Sequence, residues 1–217
     1  IVNGVKEIVQ NYDVDGIHMD DYFYPTFNSS NVNSAFDAKE YKASTMGKHK
    51  NGIVAFRRQQ VNALVKAIHS AVKATKPNVT FGISPAGNID NLTSKYSYYV
   101  DINKWLNSHD YVDYICPQIY WGFKHPYAKF DRVTKRWMKA AKSKKVKVYI
   151  GIAVYRAGHN TGASSSERRE WRSDANVLKK QVRYARKKGC DGFAFFDYQD
   201  LKSKTSARAV KNLKKVL

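Results

Sequence analysis

Apolar residues recur along the chain in two alternating patterns. In residues 53–75 they are spaced by three and four positions, which predicts one buried face of a helix. Elsewhere they form short, nearly continuous runs rich in β-branched and aromatic residues, which is typical of strands covered on both faces. Five such runs occur, at residues 14–24, 79–84, 112–120, 146–155 and 191–198. Helical segments separate the runs, so the order predicts parallel βαβ units.

Helices are predicted before, between and after these strands. They cover residues 2–9, 53–75, 101–108, 126–143, 174–189 and 205–216. Pro77 is expected to close the longest helix. Ser173 or Asp174 is expected to cap the fifth, and Gly189 to end it, because a glycine readily follows the last helical turn. The polar segment 158–173 is expected to be a loop.

Two α/β architectures fit this order, a doubly wound open sheet and a (β/α)8 TIM barrel. No Gly-x-Gly-x-x-Gly turn and no Walker loop is present, which disfavours the nucleotide-binding open sheets. Polar and aromatic residues follow nearly every strand, as in a barrel whose site is built from many strand ends. We therefore predict a barrel of which about five β/α units, strands four to eight, are present. Residues 1–217 are expected to form a single domain truncated at its N-terminus, with unpaired strand edges that promote aggregation.

The charge is strongly unbalanced, with 38 basic and 18 acidic residues and a net charge of +20. Lysines that solvate the outer faces of helices are one explanation, and attraction to an acidic polymer is another. A nucleic-acid-binding protein is a third hypothesis, but no recognised motif accompanies the charge, so no specific nucleic-acid partner is predicted. No apolar stretch is long enough to span a bilayer. The two cysteines, Cys116 and Cys190, and the histidines lack metal-ligand spacing, so no metal or cofactor is predicted.

The strongest chemical signal is the pair Asp20 and Asp21 at the end of the first strand. Two adjacent carboxylates repel each other, which favours one acid beside one base. Glycoside cleavage needs two such groups, one to protonate the leaving oxygen and one to attack or stabilise the sugar. Side chains alternate along a strand, so Asp20 shares a face with His18 and Tyr22, and we favour Asp20 as the central group. The alternative is that one aspartate caps a turn and the other is solvated.

Further residues at the strand ends suit sugar binding, because aromatic rings stack on the apolar faces of sugars and polar groups bind their hydroxyls. The predicted substrate-binding residues are His18, Tyr22, Arg57, Asn88, Gln118, Tyr120, Trp121, Tyr155, Arg156 and Asp197. The alternative for the rings is that they fill the core. His18 is either a base or a hydrogen-bonded interior residue. Arg57 either holds a carboxylate or an acidic sugar, or is an ordinary helix-surface charge.

Five motifs together resemble one known family. They are DGIHMDDYFYP (residues 15–25), FRRQQVN (56–62), FGISP (81–85), YVDYICPQIYW (111–121) and YIGIAVYR (149–156). In this order they are similar to the bacterial glycosyl hydrolase-like family ten. The resemblance implies a (β/α)8 barrel in a secreted or cell-surface bacterial protein that acts on, or binds, polysaccharide. The net charge of +20 adds that this polysaccharide is expected to include anionic ones. Flanking domains are expected in the full-length protein.

The first motif is also similar to that of chitinases, but it departs from it at two positions. Tyr22 stands where the catalytic glutamate would fall, and His18 replaces an aspartate. The chitinase mechanism therefore does not carry over. The leading hypothesis is a glycosidase that uses Asp20 and Asp21, and the alternative is a catalytically inactive carbohydrate-binding barrel.

Overall fold

Five parallel strands form a single curved sheet, about half of a barrel. The computed structural model describes residues 1–20, 23–48, 52–143 and 145–217. The strands are β1 (Gly16–Asp20), β2 (Thr80–Ser84), β3 (Tyr114–Ile115), β4 (Lys147–Ala153) and β5 (Gly192–Phe196). They lie in the order in which they occur in the chain, so every crossover joins neighbouring strands. This confirms the predicted parallel α/β sheet and its partial-barrel architecture.

Ten helices in the described residues flank the strands. They are α1 (Val2–Asn11), α2 (Ala38–Ala43), α3 (Gly52–Thr75), α4 (Ile89–Leu92), α5 (Ile102–Leu106), α6 (Phe130–Ala140), α7 (Ser165–Ser173), α8 (Val177–Lys187), α9 (Tyr198–Lys202) and α10 (Ala207–Leu213). Three short 3-10 turns cover Thr45–Lys48, Val154–Arg156 and Lys214–Val216. Among the described residues, no helix is long and apolar enough to cross a membrane.

The expectation of a loop over residues 158–173 is wrong, because its second half forms α7. The Ser164 hydroxyl accepts a hydrogen bond from the Glu167 amide at 3.1 Å, which caps the first turn. Glu167 and Trp171 provide the buried face of this helix. The cap of α8 is Asn176, and not Ser173 or Asp174. Gly189 follows α8 with φ of +86°, as predicted for a helix-ending glycine.

Strand β3 is much shorter than the predicted strand over residues 112–120. It ends at Ile115 because Pro117 has no amide hydrogen to donate to a neighbouring strand. Two isolated bridges nevertheless pair Gln118 with Ala86 on one side and with Gly151 on the other. The chain after β3 therefore stays in line with the sheet and delivers Gln118 to its carboxyl end.

The outer face of the sheet carries the hydrophobic core. Phe81, Ile83, Ile115, Ile150 and Ile152 are fully buried there against the helices. Burial of each such side chain stabilises the fold by about 1.5–3 kcal/mol. The helices thus cover the convex side of the sheet, and the other residues of each strand face its concave side.

The concave face carries a row of rings in the middle of the strands. The His18 ring stacks on Tyr114 at 5.8 Å between centroids, and Tyr114 contacts Tyr149 at 5.1 Å. Gly82 provides the space for this row, since a Cβ atom there would lie 2.1 Å from the Tyr114 ring. The rings therefore line the concave face of the sheet below the strand ends.

Candidate functional site

Asp20 is the last residue of β1 and lies on the concave face of the sheet, on the same side as His18. The Gln118 amide donates one hydrogen bond to Asp20 Oδ1 at 3.0 Å and another to the Ser84 carbonyl at 3.1 Å. The second contact fixes the amide against the end of β2, so the first fixes the orientation of the carboxylate. Two residues 98 positions apart in sequence meet here because both follow parallel strands.

A free thiol lies beneath this carboxylate. Cys116 is buried, and the Ser84 hydroxyl donates to its carbonyl at 3.0 Å. Burial, and after it the negative charge of Asp20, raise the pKa of Cys116 to about 12. The thiol therefore stays protonated at neutral pH. Cys190 is also free. Cys116 follows β3 and Cys190 precedes β5, and β4 lies between these two strands.

Three aromatic rings form a cluster at the carboxyl ends of β4 and β5. Tyr120 contacts Tyr155 edge-on at 6.0 Å between centroids and stacks on Phe196 at 5.9 Å with an interplanar angle of 23°. A Cβ atom at Gly151 would lie 3.4 Å from Tyr120 Cε1, so the tyrosine ring covers the concave side of β4. Phe196 is 53% exposed. An exposed apolar ring at a strand end is a suitable surface for the face of a sugar.

Other predicted binding residues lie in the surrounding loops. Trp121 packs against the loop after β2, where a Cβ atom at Gly87 would lie 2.7 Å from its ring. Asn88 and Asp197 each use a side-chain oxygen to cap a helix, α4 and α9 respectively. Arg156 donates from Nε to the Tyr155 hydroxyl at 3.2 Å. The capping contacts give Asn88 and Asp197 a local structural role. That these two residues also bind sugar stays a prediction.

The prediction that Arg57 binds substrate is corrected by its burial, since its side chain has no exposed surface. Its guanidinium forms a bidentate pair with Asp37, with N–O distances of 2.6 and 2.7 Å. It also donates to the Tyr99 hydroxyl and to the Val32 carbonyl, both at 2.9 Å. The Phe27 ring covers it at 4.2 Å. Arg57 therefore fastens the segment after β1 to helix α3.

Two predicted residues, Asp21 and Tyr22, lie outside the described residues. His18 is described, and its Nδ1 atom is 2.8 Å from the Tyr114 hydroxyl. His18 is hydrogen-bonded but exposed, so it is not an interior residue in this structure, and its role as a base or a binding residue stays a prediction. Among the described residues, no group of three or more histidine, cysteine, aspartate or glutamate side chains is arranged to hold a metal ion.

The family of the chain follows from sequence comparison. Residues 1–172 match the model of a family described as glycosyl hydrolase-like 10. The chain belongs to this family. It is 36% identical over 191 residues to "Glycosyl hydrolase YngK" of Bacillus subtilis strain 168, which covers 79% of the chain and 35% of that protein. It is 33% identical over 196 residues to "Glycosyl hydrolase DigH" of Escherichia coli K12, covering 84% of the chain and 42% of that protein.

A solved structure supports the fold of this glycosyl hydrolase-like 10 chain. The glycoside hydrolase domain of PgaB (BpsB) from Bordetella bronchiseptica aligns with a TM-score of 0.54 and 10% sequence identity, covering 96% of the chain and 59% of that domain. The chain thus spans well under half the length of the two curated relatives and somewhat more than half of this domain. The likeness agrees with a partial barrel fold.

Two structurally important residues of the glycosyl hydrolase-like 10 chain were missed by sequence reasoning. Phe196 belongs to the aromatic cluster, and its position at the end of the last strand was the signal that could have identified it. Glu167 is fully buried, and its carboxylate accepts hydrogen bonds from the amides of Gly122 at 3.0 Å and Ala163 at 2.7 Å. Ser164 followed three residues later by Glu167 is a capping-box pattern that could have revealed it. Glu167 joins the loop after β3 to α7.

Proposed function

We propose that the chain carries the catalytic strand of a glycosidase and that Asp20 is the carboxylate that acts on the glycosidic bond. The observation that carries the proposal is the hydrogen bond from Gln118 to Asp20 at the carboxyl end of β1. Catalytic groups of barrel enzymes come from such strand ends, and a fixed carboxylate is what bond cleavage requires. Membership of a glycosyl hydrolase-like family supports the same reaction class.

In this mechanism two carboxylates divide the work. One protonates the oxygen of the leaving sugar, and the other attacks or stabilises the positively charged sugar that remains. Asp20 supplies one of them, and we propose Asp21 as the second. Gln118 is a positioning residue, and Tyr120, Tyr155 and Phe196 offer stacking surfaces for the sugar rings.

A pair of matched substitutions tests the role of Asp20 in the full-length protein. Asp20→Asn should abolish release of reducing ends from a panel of polysaccharides. Asp13→Asn makes the same change before β1, at the opposite end of that strand, and should leave turnover unchanged. Turnover that survives in both Asp20→Asn and Asp21→Asn would refute the assignment, provided that the far-UV circular dichroism of the variants is native.

A carbohydrate-binding barrel without activity is the second candidate. Tyr22, in place of the chitinase-like glutamate, and the exposed ring of Phe196 favour it. Retention of an oligosaccharide without any product, by the unsubstituted protein, would support binding over hydrolysis.

We further propose that the substrate is an extracellular or cell-surface polysaccharide of bacteria, including an anionic one. The net charge of +20 supports an acidic polymer, because opposite charge raises the local concentration of substrate. Hydrolysis of acidic polysaccharides should therefore slow with added salt more than hydrolysis of neutral ones. Equal salt dependence for both would contradict this part of the proposal.

A further inference from the structure

A cavity lies away from Asp20, on the helical side of the chain. It has a volume of about 800 Å³ and opens between the loop after β3, helix α7 and helix α8. Phe123 and Tyr184 meet on its wall, with ring centroids 6.2 Å apart and an interplanar angle of 82°. This size suits a small ligand, and two rings at right angles offer both a face and an edge for stacking.

Cationic side chains surround these rings. Lys124, Arg169, Lys180, Arg183 and Lys187 line the cavity, and all five are exposed. Among the residues that the structure describes, Lys180 alone of the five is paired with a carboxylate, that of Asp174 at 2.6 Å. The other four cations are therefore available to an incoming anion.

The other carboxylate that lines the cavity, that of Glu170, is hydrogen-bonded within the protein. Glu170 Oε2 accepts a hydrogen bond from the Lys124 amide at 2.9 Å. Burial is the largest effect on the pKa of Glu170 and raises it. The hydrogen bonds from the backbone amides of Lys124 and Phe123 oppose this shift. Glu170 thus holds the loop after β3 in place, and the four unpaired cations determine the sign of the charge that the cavity presents.

We propose that this cavity binds an acidic oligosaccharide, with a sugar ring against Phe123 and Tyr184 and its carboxylate against Arg183 and Lys187. Arg183 and Lys187 are four residues apart on α8, so they lie on one face of the helix. Rings alone would suit a neutral sugar, and cations alone would suit any anion. The two together select a saccharide that carries a negative charge. The site rests on the proposed function and extends it, because it would hold the polymer at a distance from Asp20.

The test measures binding by the full-length protein at physiological ionic strength. The probes are an oligogalacturonate and its methyl ester, which share their rings and differ in charge. We expect the acid to bind at least about tenfold more tightly than the ester, the equivalent of one good charge contact. Equal affinity for the two, or displacement of the acid by an equal concentration of inorganic phosphate, would overturn the proposal.

A matched pair of lysine variants locates the binding. Lys187→Glu and Lys211→Glu each reverse one exposed lysine in the last turn of a helix, α8 and α10 respectively. Lys187→Glu should weaken binding of the oligogalacturonate about tenfold, whereas Lys211→Glu should change it less than about twofold. Equal losses would mean attraction by net charge alone and would refute the site. Binding should persist in Asp20→Asn even when turnover is lost, so failure of this proposal is distinguishable from failure of the glycosidase assignment.

Discussion

The buried pair of Arg57 and Asp37 provides the sharpest test of how the segment after β1 is held. The side chains are 0% and 7% exposed, and the guanidinium makes four hydrogen bonds. Burial lowers the pKa of Arg57, but the hydrogen bonds from Arg57 to Asp37 and Tyr99 outweigh it and raise that pKa overall. The arginine therefore stays charged, and replacing it leaves the Asp37 carboxylate buried without a partner.

Arg57→Met should lower the free energy of unfolding by about 3–5 kcal/mol, which is the usual cost of removing one partner of a buried ion pair. For a chain of this size each kcal/mol lowers Tm by roughly 2–4 °C. Urea unfolding at low protein concentration, followed by tryptophan fluorescence, measures the loss. The neighbouring Arg58→Met is the control, because Arg58 donates one hydrogen bond to the Thr93 carbonyl at 3.2 Å and is only half-buried.

The double variant Arg57→Met with Asp37→Leu distinguishes the ion pair from simple packing. Because a buried pair is often replaced by apolar residues at little cost, this variant should recover a substantial part of the lost stability. A loss below about 1 kcal/mol for Arg57→Met, or no recovery in the double variant, would refute the reasoning.

Three further predictions concern the site and the strands beneath it. Gln118→Met should lower kcat of the full-length protein by about 100-fold with little change in KM, since Asp20 loses its positioning contact. An unchanged kcat would contradict this prediction. Gly82→Ala should destabilise the chain by more than about 2 kcal/mol in urea unfolding, because the added methyl group overlaps the Tyr114 ring, and a neutral result would exclude that packing. Burial raises the pKa of Asp113, but the hydrogen bond from the Lys73 ammonium, 2.7 Å away, is the main opposing effect, so that the pKa is lowered overall. The stability that Asp113 contributes should therefore be present above about pH 4 and be lost as pH falls through the lowered pKa, and Asp113→Asn should remove that loss from the pH dependence of unfolding.

The sequence predicted the structure best at positions where a residue type strongly favours one local conformation or one degree of burial. Short apolar runs that alternate with segments of helical spacing predicted five parallel strands, because strands of parallel sheets are apolar along most of their length. Gly189 predicted the end of α8, and the polar residues after the strands predicted where a site would lie. The segment over residues 158–173 was misjudged because its polarity hid a helix whose buried side carries only Glu167 and Trp171.

Only the tertiary structure decided which of these side chains meet. Gln118 reaches Asp20 because both follow parallel strands of one sheet, and a separation of 98 residues leaves no trace in local sequence. Arg57 has the same chemistry whether it faces a sugar or a buried aspartate, so its role depended on the fold of the segment that contains Asp37. Local sequence determines the elements through short-range sterics and burial, whereas partners distant in the chain are chosen by how those elements pack.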